Sequence, residues 1–210
     1  MFCILGNRIR SKCRPSTAAF LRTTLLVFSG VAVSLSASGE DHLQERLAKV
    51  KAAYIYNVIK FTSWPESAQQ LGDAIRVGVI GHDRVADFLF AGFKSRTAQN
   101  RSLLVEQIDD VMLAQNNIKA VVQRVARYHV VYFSAPMGES ERILLGALKG
   151  APILLTIGSD SQLLDGGMVS FVFDRQSDKV RLLVNLESMQ LSGLSMSSKL
   201  LKFAKIIGPQ

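Results

Sequence analysis

The sequence predicts a single α/β domain, in which helices flank a mixed, mainly parallel β-sheet and an antiparallel hairpin lies near the carboxyl terminus. Short apolar runs alternate with helical segments through the middle of the chain, as in parallel strands joined by crossover helices. The runs 130–133 and 152–157 are continuously apolar, which is typical of strands buried on both faces. The runs 168–173 and 180–184 are joined by a polar connection too short for a crossover helix, which predicts the hairpin.

The first 38 residues have the three parts of a secretion signal. They contain five basic residues and no acidic one, then an apolar run at 25–35, then the small residues of a cleavage zone. The apolar run is shorter than the roughly 20 residues that a membrane span needs. We therefore expect residues 1–38 to be cleaved, and residues 39–210 to form one exported domain without stable membrane insertion.

Removing this signal changes the charge and the cysteine content. The chain has 25 Lys and Arg against 17 Asp and Glu, and five of the basic residues lie in the signal, which leaves 20 against 17. A domain so close to neutral gives no support for nucleic-acid binding. Both cysteines, Cys3 and Cys13, also leave with the signal. The mature domain is therefore expected to lack disulfides, cysteine metal sites and a cysteine nucleophile.

The first element of the mature domain is predicted to be a long helix that ends before Trp64 and Pro65, because proline disfavours a helical conformation of the preceding residue. We expect Asn57 to bond the backbone of a neighbouring segment and so tie the helix to the sheet; a ligand contact is the alternative. Lys60 is expected to extend its amine to solvent. Apolar residues at spacings of three and four mark one helical stripe: Leu43, Leu47, Val50, Tyr54, Val58 and Phe61.

The other elements follow in chain order, separated by capping and turn residues. Asp83 is expected to cap the helix after the first strand, Gly150 to end a later helix, and Gly193 to separate the last two helices. The predicted strands are 74–80, 103–108, 129–133, 152–157, 168–173 and 180–184. The predicted helices after the first are 83–93, 111–127, 140–148, 186–191 and 198–207.

Catalytic patterns are weak, so we predict no enzymatic activity, no cofactor and no metal site. Gly78 and Gly81 follow a strand, but the third glycine of a dinucleotide-binding fingerprint is missing. Ser140 lies in a segment that lacks the second glycine of a nucleophile elbow. The three histidines do not have the paired spacing that zinc sites use.

One group of polar residues is expected at the carboxyl ends of the parallel strands, where α/β folds bind ligands. His82 follows the first strand, Ser134 the third, and Ser159 and Asp160 the fourth. These four residues form the candidate ligand rim that the sequence predicts. Ordinary loop and capping chemistry is the alternative interpretation of the same residues.

Residues 48–204 resemble the YfiR-like family of periplasmic proteins. The resemblance is most specific in the motif around the Trp-Pro pair and in the closing part of the chain, and we interpret these motif residues as mainly structural. They are Tyr56, Asn57, Lys60, Phe61, Trp64 and Pro65, and then Gly166, Gly167, Met168, Asn185, Leu186, Ser197, Ser198, Leu200 and Leu201.

The resemblance implies a periplasmic regulatory protein without enzymatic activity, which forms a homodimer. It implies binding to the periplasmic part of an inner-membrane diguanylate cyclase, which is thereby held inactive, so that cyclic di-GMP and biofilm formation stay low. The characterised repressor of the family responds to redox state through disulfides. Because the mature domain has no cysteine, that response is excluded here.

A second function of a different class stays open. The candidate ligand rim could bind a metabolite, which would make the domain a periplasmic small-ligand sensor for another membrane receptor, such as a histidine kinase. A ligand that raises the melting temperature would favour this alternative.

Overall fold

The computed structural model describes residues 34–69, 72–109, 114–157, 163 and 165–208. Ser159 and Asp160 of the candidate ligand rim lie outside these described residues. The chain divides into two units, Met1–Glu40 and Asp41–Gln210, and the sheet belongs to the second.

The helices and strands alternate along the second unit, after a first helix that begins in the first unit. The helices are α1 Ser34–Phe61, α2 Glu66–Gln69, α3 Arg84–Phe93, α4 Ala114–Val125, α5 Glu139–Ala147, α6 Leu186–Leu191 and α7 Ser198–Leu201. The strands are β1 Thr62–Ser63, β2 Ala74–Ile80, β3 Thr97–Ala98, β4 Arg101–Ile108, β5 Val130–Phe133, β6 Leu154–Ile157, β7 Val169–Asp174, β8 Lys179–Asn185, β9 Ser195–Met196 and β10 Ala204–Ile207.

The main sheet has eight strands among the described residues, in the order β10-β8-β7-β6-β5-β2-β4-β3. Five neighbouring pairs are parallel: β10 with β8, β7 with β6, β6 with β5, β5 with β2 and β2 with β4. The pairs β7–β8 and β3–β4 are antiparallel. The prediction of a mixed, mainly parallel α/β sheet with an antiparallel hairpin near the carboxyl terminus is confirmed.

Helices cover both faces of this sheet. Helix α3 lies in the crossover from β2 to β4, and α4 lies in the crossover from β4 to β5. These two crossovers run in opposite directions along the strand order. Because such crossovers are right-handed, α3 and α4 lie on opposite faces of the sheet. Helix α5 packs against α4. Helix α1 contacts the end of α3, because the ring centroids of Tyr56 and Phe93 are 6.1 Å apart. The side chains of Ile55, Val58 and Ile59 are completely buried and join α1 to the core.

The predicted last helix, 198–207, is wrong in its second half. Helix α7 ends at Leu201, and Ala204–Ile207 form β10, which pairs in parallel with Leu182–Asn185 of β8. Two physical effects override the helical spacing of the apolar residues. The β-branched Ile206 and Ile207 favour a strand, and β10 satisfies backbone groups of β8 that a helix would leave without partners.

Other differences concern short elements and boundaries. The pattern did not indicate α2 or the two-residue strands β1, β3 and β9, because their pairing depends on distant segments; β1 and β9 pair with each other in a separate sheet. Helix α4 begins at Ala114, whereas 111–113 of the predicted 111–127 lie outside the described residues. A non-helical conformation at Asn117 kinks α4.

Candidate functional site at the amino-terminal edge of the sheet

The structure places His82 two residues after β2 and Ser134 directly after β5, at the carboxyl edge where the sequence predicts them. The backbone N–H of Ser134 donates to the Ile80 carbonyl at 2.9 Å, and its side chain is buried. The His82 side chain is 75% exposed, with its Nε2 atom 3.7 Å from the Asp87 carboxylate. His82 thus faces solvent, while Ser134 belongs to the packing of the edge.

Asp83 closes this carboxyl edge. Its carboxylate accepts a hydrogen bond from the Ala86 N–H at 2.8 Å, as the predicted N-cap, and one from the Tyr132 hydroxyl at 2.7 Å. Burial, followed by the negative charge of Asp83, raises the pKa of Tyr132, so the phenol stays neutral and donates. A Cβ atom at Gly81 would overlap the Ser134 hydroxyl. The edge is therefore tightly packed near Ser134, and a ligand at His82 and Ser134 stays a prediction.

The opposite, amino-terminal edge is organised around the end of α1, where the last carbonyls of a helix need partners. The side chain of Gln99 supplies them, because its Nε2 atom donates to the carbonyls of Ile59 at 2.9 Å and of Thr62 at 2.6 Å. Gln99 and Asn100 form the two-residue turn between β3 and β4, with φ angles of 53° and 61°. The hairpin turn is thus a cap for α1.

Two motif residues attach the same helix to the sheet. The Tyr56 hydroxyl donates to the Thr97 carbonyl at 2.8 Å, and the Trp64 indole N–H donates to the His129 carbonyl at 3.1 Å. Asn57 was predicted to make such a tie and does not. Its side-chain amide donates to the Ala53 carbonyl, one turn back in α1, at 3.1 Å. The side-chain tie from Gln99 to the end of α1 was not predicted, because Gln99 is far from the motif in the sequence.

Residues of the closing motif also make capping and backbone contacts. Asn185 caps α6, because its side chain accepts from the Ser188 N–H at 3.0 Å. The Ser197 side chain caps α7, and its backbone N–H donates to the Phe61 carbonyl at 2.9 Å, so the end of the chain is joined to the end of α1. Gly166 has a φ angle of 126°, which favours glycine.

His129 is buried beneath the Trp64 ring, and the two rings make an edge contact at 6.1 Å. Its Nδ1 atom accepts from the Arg76 backbone N–H at 3.1 Å, while its Nε2 atom lies 3.0 Å from Nη2 of Arg101. Burial first, and then the positive charge of Arg101, lower the pKa of His129 to about 4. The ring is therefore neutral at physiological pH and serves as a hydrogen-bonding core residue.

A polar cleft of about 670 Å³ opens at this edge. Nη2 of Arg101 donates to the carbonyls of Gly72 and Ala74, which hold the guanidinium in place. The cleft brings this cation together with one carboxylate and two side-chain amides, and Trp64 forms part of its wall. Its lining residues are Ser63, Trp64, Gly72, Asp73, Gln99, Asn100 and Arg101. Such a set can hydrogen-bond a small polar molecule, and neither His82 nor Ser134 is among these described lining residues.

Membrane spans and metal sites are two further features that a functional site can involve. Among the helices that the structure describes, none has the length and apolar character of a membrane span. The described side chains likewise contain no group of three or more His, Cys, Asp or Glu residues that could hold a metal ion.

Sequence comparison identifies the family. The profile of the YfiR/HmsC-like family (DUF4154) matches residues 48–205. Because this match covers most of the chain, the protein belongs to that family, and the resemblance stated from the motifs is confirmed. No curated protein matches the sequence significantly.

Two solved structures match parts of this chain. One is a conserved domain protein from Vibrio cholerae O1 biovar El Tor, with 12% identity, a TM-score of 0.51, and coverage of 77% of this chain and 60% of that one. The other is an ABC domain in complex with L-Trp from Streptococcus pneumoniae, with 12% identity, a TM-score of 0.45, and coverage of 67% and 59%. At this level of identity, the likeness to the Vibrio structure shows a shared fold alone.

Proposed function

We propose that this YfiR/HmsC-like protein is an exported periplasmic regulator that binds the periplasmic part of an inner-membrane diguanylate cyclase and inhibits it. The observation that carries the proposal is the family match over residues 48–205. The signal-like composition of residues 1–38 supports export. Inhibition by binding needs no catalytic residue and no cofactor, and we propose that the protein is not an enzyme.

The proposed mechanism is a shift between two states of the partner. A periplasmic protein affects a cytoplasmic catalytic domain only when it prefers one conformation of the membrane-spanning partner. The size of the effect is set by the difference between its affinities for the two states, where a tenfold difference corresponds to about 1.4 kcal/mol. The ties of α1 to Gln99 and to the end of the chain support binding as a preformed domain.

Deletion of the gene tests this function. We expect cyclic di-GMP to rise, and the rise to disappear when one membrane diguanylate cyclase is deleted as well. Expression of the full chain should restore the low level, which controls for effects on neighbouring genes. Unchanged cyclic di-GMP in the single deletion would contradict the proposal.

The polar cleft favours a second candidate function, a small-ligand sensor that acts on another membrane receptor such as a histidine kinase. Its location at Arg101 and Asp73 differs from the carboxyl-edge rim that the sequence predicted. A ligand for this cleft should raise the melting temperature of the wild-type domain. The shift should be lost in Asp73→Asn and kept in His82→Asn; a shift lost only in the His82 variant would return the ligand to the rim.

A homodimer, which the family resemblance implies, is part of the proposal. Light scattering of the purified domain measures its mass in solution and distinguishes a dimer from a monomer.

A further inference from the structure

The two edges of the main sheet end in short strands of different kinds. One edge ends in β3, a two-residue strand held in a tight hairpin with β4, where it pairs with Arg101 and Ser102. The other ends in β10, which pairs with β8 on one side. Among the residues that the structure describes, no strand lies on the other side of β10. Its outer backbone groups are therefore available for a further strand.

Apolar side chains are unusually exposed beside this open edge. Phe203, directly before β10, is 76% exposed, and Ile206 within β10 is 53% exposed. Covering a large apolar side chain in this position removes apolar surface from water, which is favourable. The exposure of Phe203 and Ile206 therefore indicates a contact surface, since exposed apolar side chains contribute little to the stability of the isolated domain.

The charge of the edge indicates which partner it fits. Residues 188–210 contain three lysines, Lys199, Lys202 and Lys205, and no Asp or Glu. All three lysines are exposed, and within the described part of the chain none of them forms an ion pair. On the neighbouring strand β8, Arg181 forms an ion pair with Asp174. Because this carboxylate is already paired with Arg181, it does not neutralise the lysines.

This charge argues against a second copy of the chain as the occupant. Pairing of β10 with itself would bring two sets of like-charged lysines together, which is unfavourable. An extended segment with acidic side chains would instead complement the lysines and cover Phe203 and Ile206. Lys202 and Lys205 also discourage unspecific pairing between edges, a role that lysine has at many exposed strands.

We propose that β10 is a docking strand, to which the partner adds an extended segment carrying both acidic and apolar side chains. The proposal rests on the proposed function, in which this partner is the periplasmic part of the cyclase. Along β10, Lys205 points to the opposite sheet face from Ile206, because side chains alternate. The added strand therefore places a carboxylate beside Lys205 and an apolar side chain beside Ile206.

Charge reversal at the edge tests the proposal in the deletion strain. The double variant Lys202→Glu/Lys205→Glu should fail to lower cyclic di-GMP, and should bind the purified periplasmic part of the cyclase at least about tenfold more weakly. The matched control Lys94→Glu/Lys119→Glu makes the same change of net charge at exposed positions on other elements. It should restore the low cyclic di-GMP level and keep its affinity.

The possible outcomes are distinguishable. If the wild-type chain has no effect on cyclic di-GMP, the proposed function fails, and this inference fails with it. If the wild type and both double variants act equally, only the docking strand is overturned. If Lys202→Glu/Lys205→Glu changes only the mass of the free protein in solution, the occupant is a second copy, which also overturns the proposal. Equal melting temperatures of the two variants exclude unfolding as the cause.

Amide hydrogen exchange separates strand addition from a simple contact between charges. On binding of the cyclase's periplasmic part, exchange should slow at the amides of Ala204–Ile207 whose N–H groups point away from β8. Binding that leaves the exchange of all these amides unchanged would overturn strand addition.

Discussion

At the level of single residues, the end of α1 depends on a side chain from another part of the chain. Gln99 donates to the carbonyls of Ile59 and Thr62, and its own backbone has the positive φ angle that the two-residue turn requires. The sequence predicted the helix end from Pro65 and could not predict this cap. An isolated glutamine has no local signal for a contact 40 residues away.

Gln99→Ala should destabilise the domain, because it leaves helix carbonyls without donors while it keeps the turn. We expect a loss of about 1–3 kcal/mol in the free energy of unfolding, measured with urea. Asn100→Gly is the matched control at the neighbouring position, where glycine suits the φ angle of 61°. It should leave stability unchanged or raise it. Equal losses in both variants would show that the turn, and not the side-chain cap, is responsible.

His129 makes the stability of the domain depend on pH. Its pKa is lowered from 6.5 to about 4 in the folded state, chiefly by burial. As the pH falls through 6.5, the histidine binds a proton in the unfolded state but not in the folded state. The contribution of His129 to the free energy of unfolding is therefore fully present above pH 6.5 and is lost as the pH falls toward 4. Between pH 7 and pH 5 this amounts to about 2 kcal/mol, at about 1.4 kcal/mol per pKa unit.

The comparison of two variants measures this contribution. His129→Asn can still accept from the Arg76 N–H, and its free energy of unfolding should change much less between pH 7 and pH 5. His82→Asn, at an exposed position, should retain the wild-type dependence. The same dependence in all three proteins would contradict the assignment to His129.

At the level of elements, prediction succeeded where local pattern and tertiary environment agree. The strand predicted at 74–80 and the helix with Asp83 as its cap appear as expected, and the strand predicted at 129–133 appears as Val130–Phe133. The segment 198–207 has helical spacing, yet its end pairs with β8 because an open strand offers backbone partners. The candidate cleft depends on Arg101, which follows a turn and carries no motif, so its relation to His129 and Trp64 was not readable from the sequence.

Gly166 tests the structural interpretation of the closing motif. Its φ angle of 126° and the nearness of the Lys149 side chain both disfavour a Cβ atom. Gly166→Ala should lower the free energy of unfolding by about 1–3 kcal/mol. Gly146→Ala, in α5 with open space around it, should raise stability by about 1 kcal/mol. A neutral Gly166 variant with altered partner binding would show that this position belongs to an interface.

At the level of the whole domain, the candidate surfaces lie at different places on one sheet. The polar cleft is at the amino-terminal edge, where β2 and β4 begin, and the proposed docking strand β10 is at the lateral edge beyond β8. The proposed ligand binding and the proposed partner binding can therefore be tested with separate variants. Family membership supports the general role that we propose, whereas a fold carries function only through its sites, and the family motifs do not identify the surface that would bind a partner.

Regulation of the cyclase by binding can be measured directly in membrane vesicles that contain the cyclase identified by the genetic test. The purified domain is added to the periplasmic side of these vesicles. Synthesis of cyclic di-GMP on the other side of the membrane should fall and level off as the domain saturates its partner. The Lys94→Glu/Lys119→Glu control should act like the wild type. Synthesis that stays constant at a saturating concentration of bound domain would contradict regulation by binding.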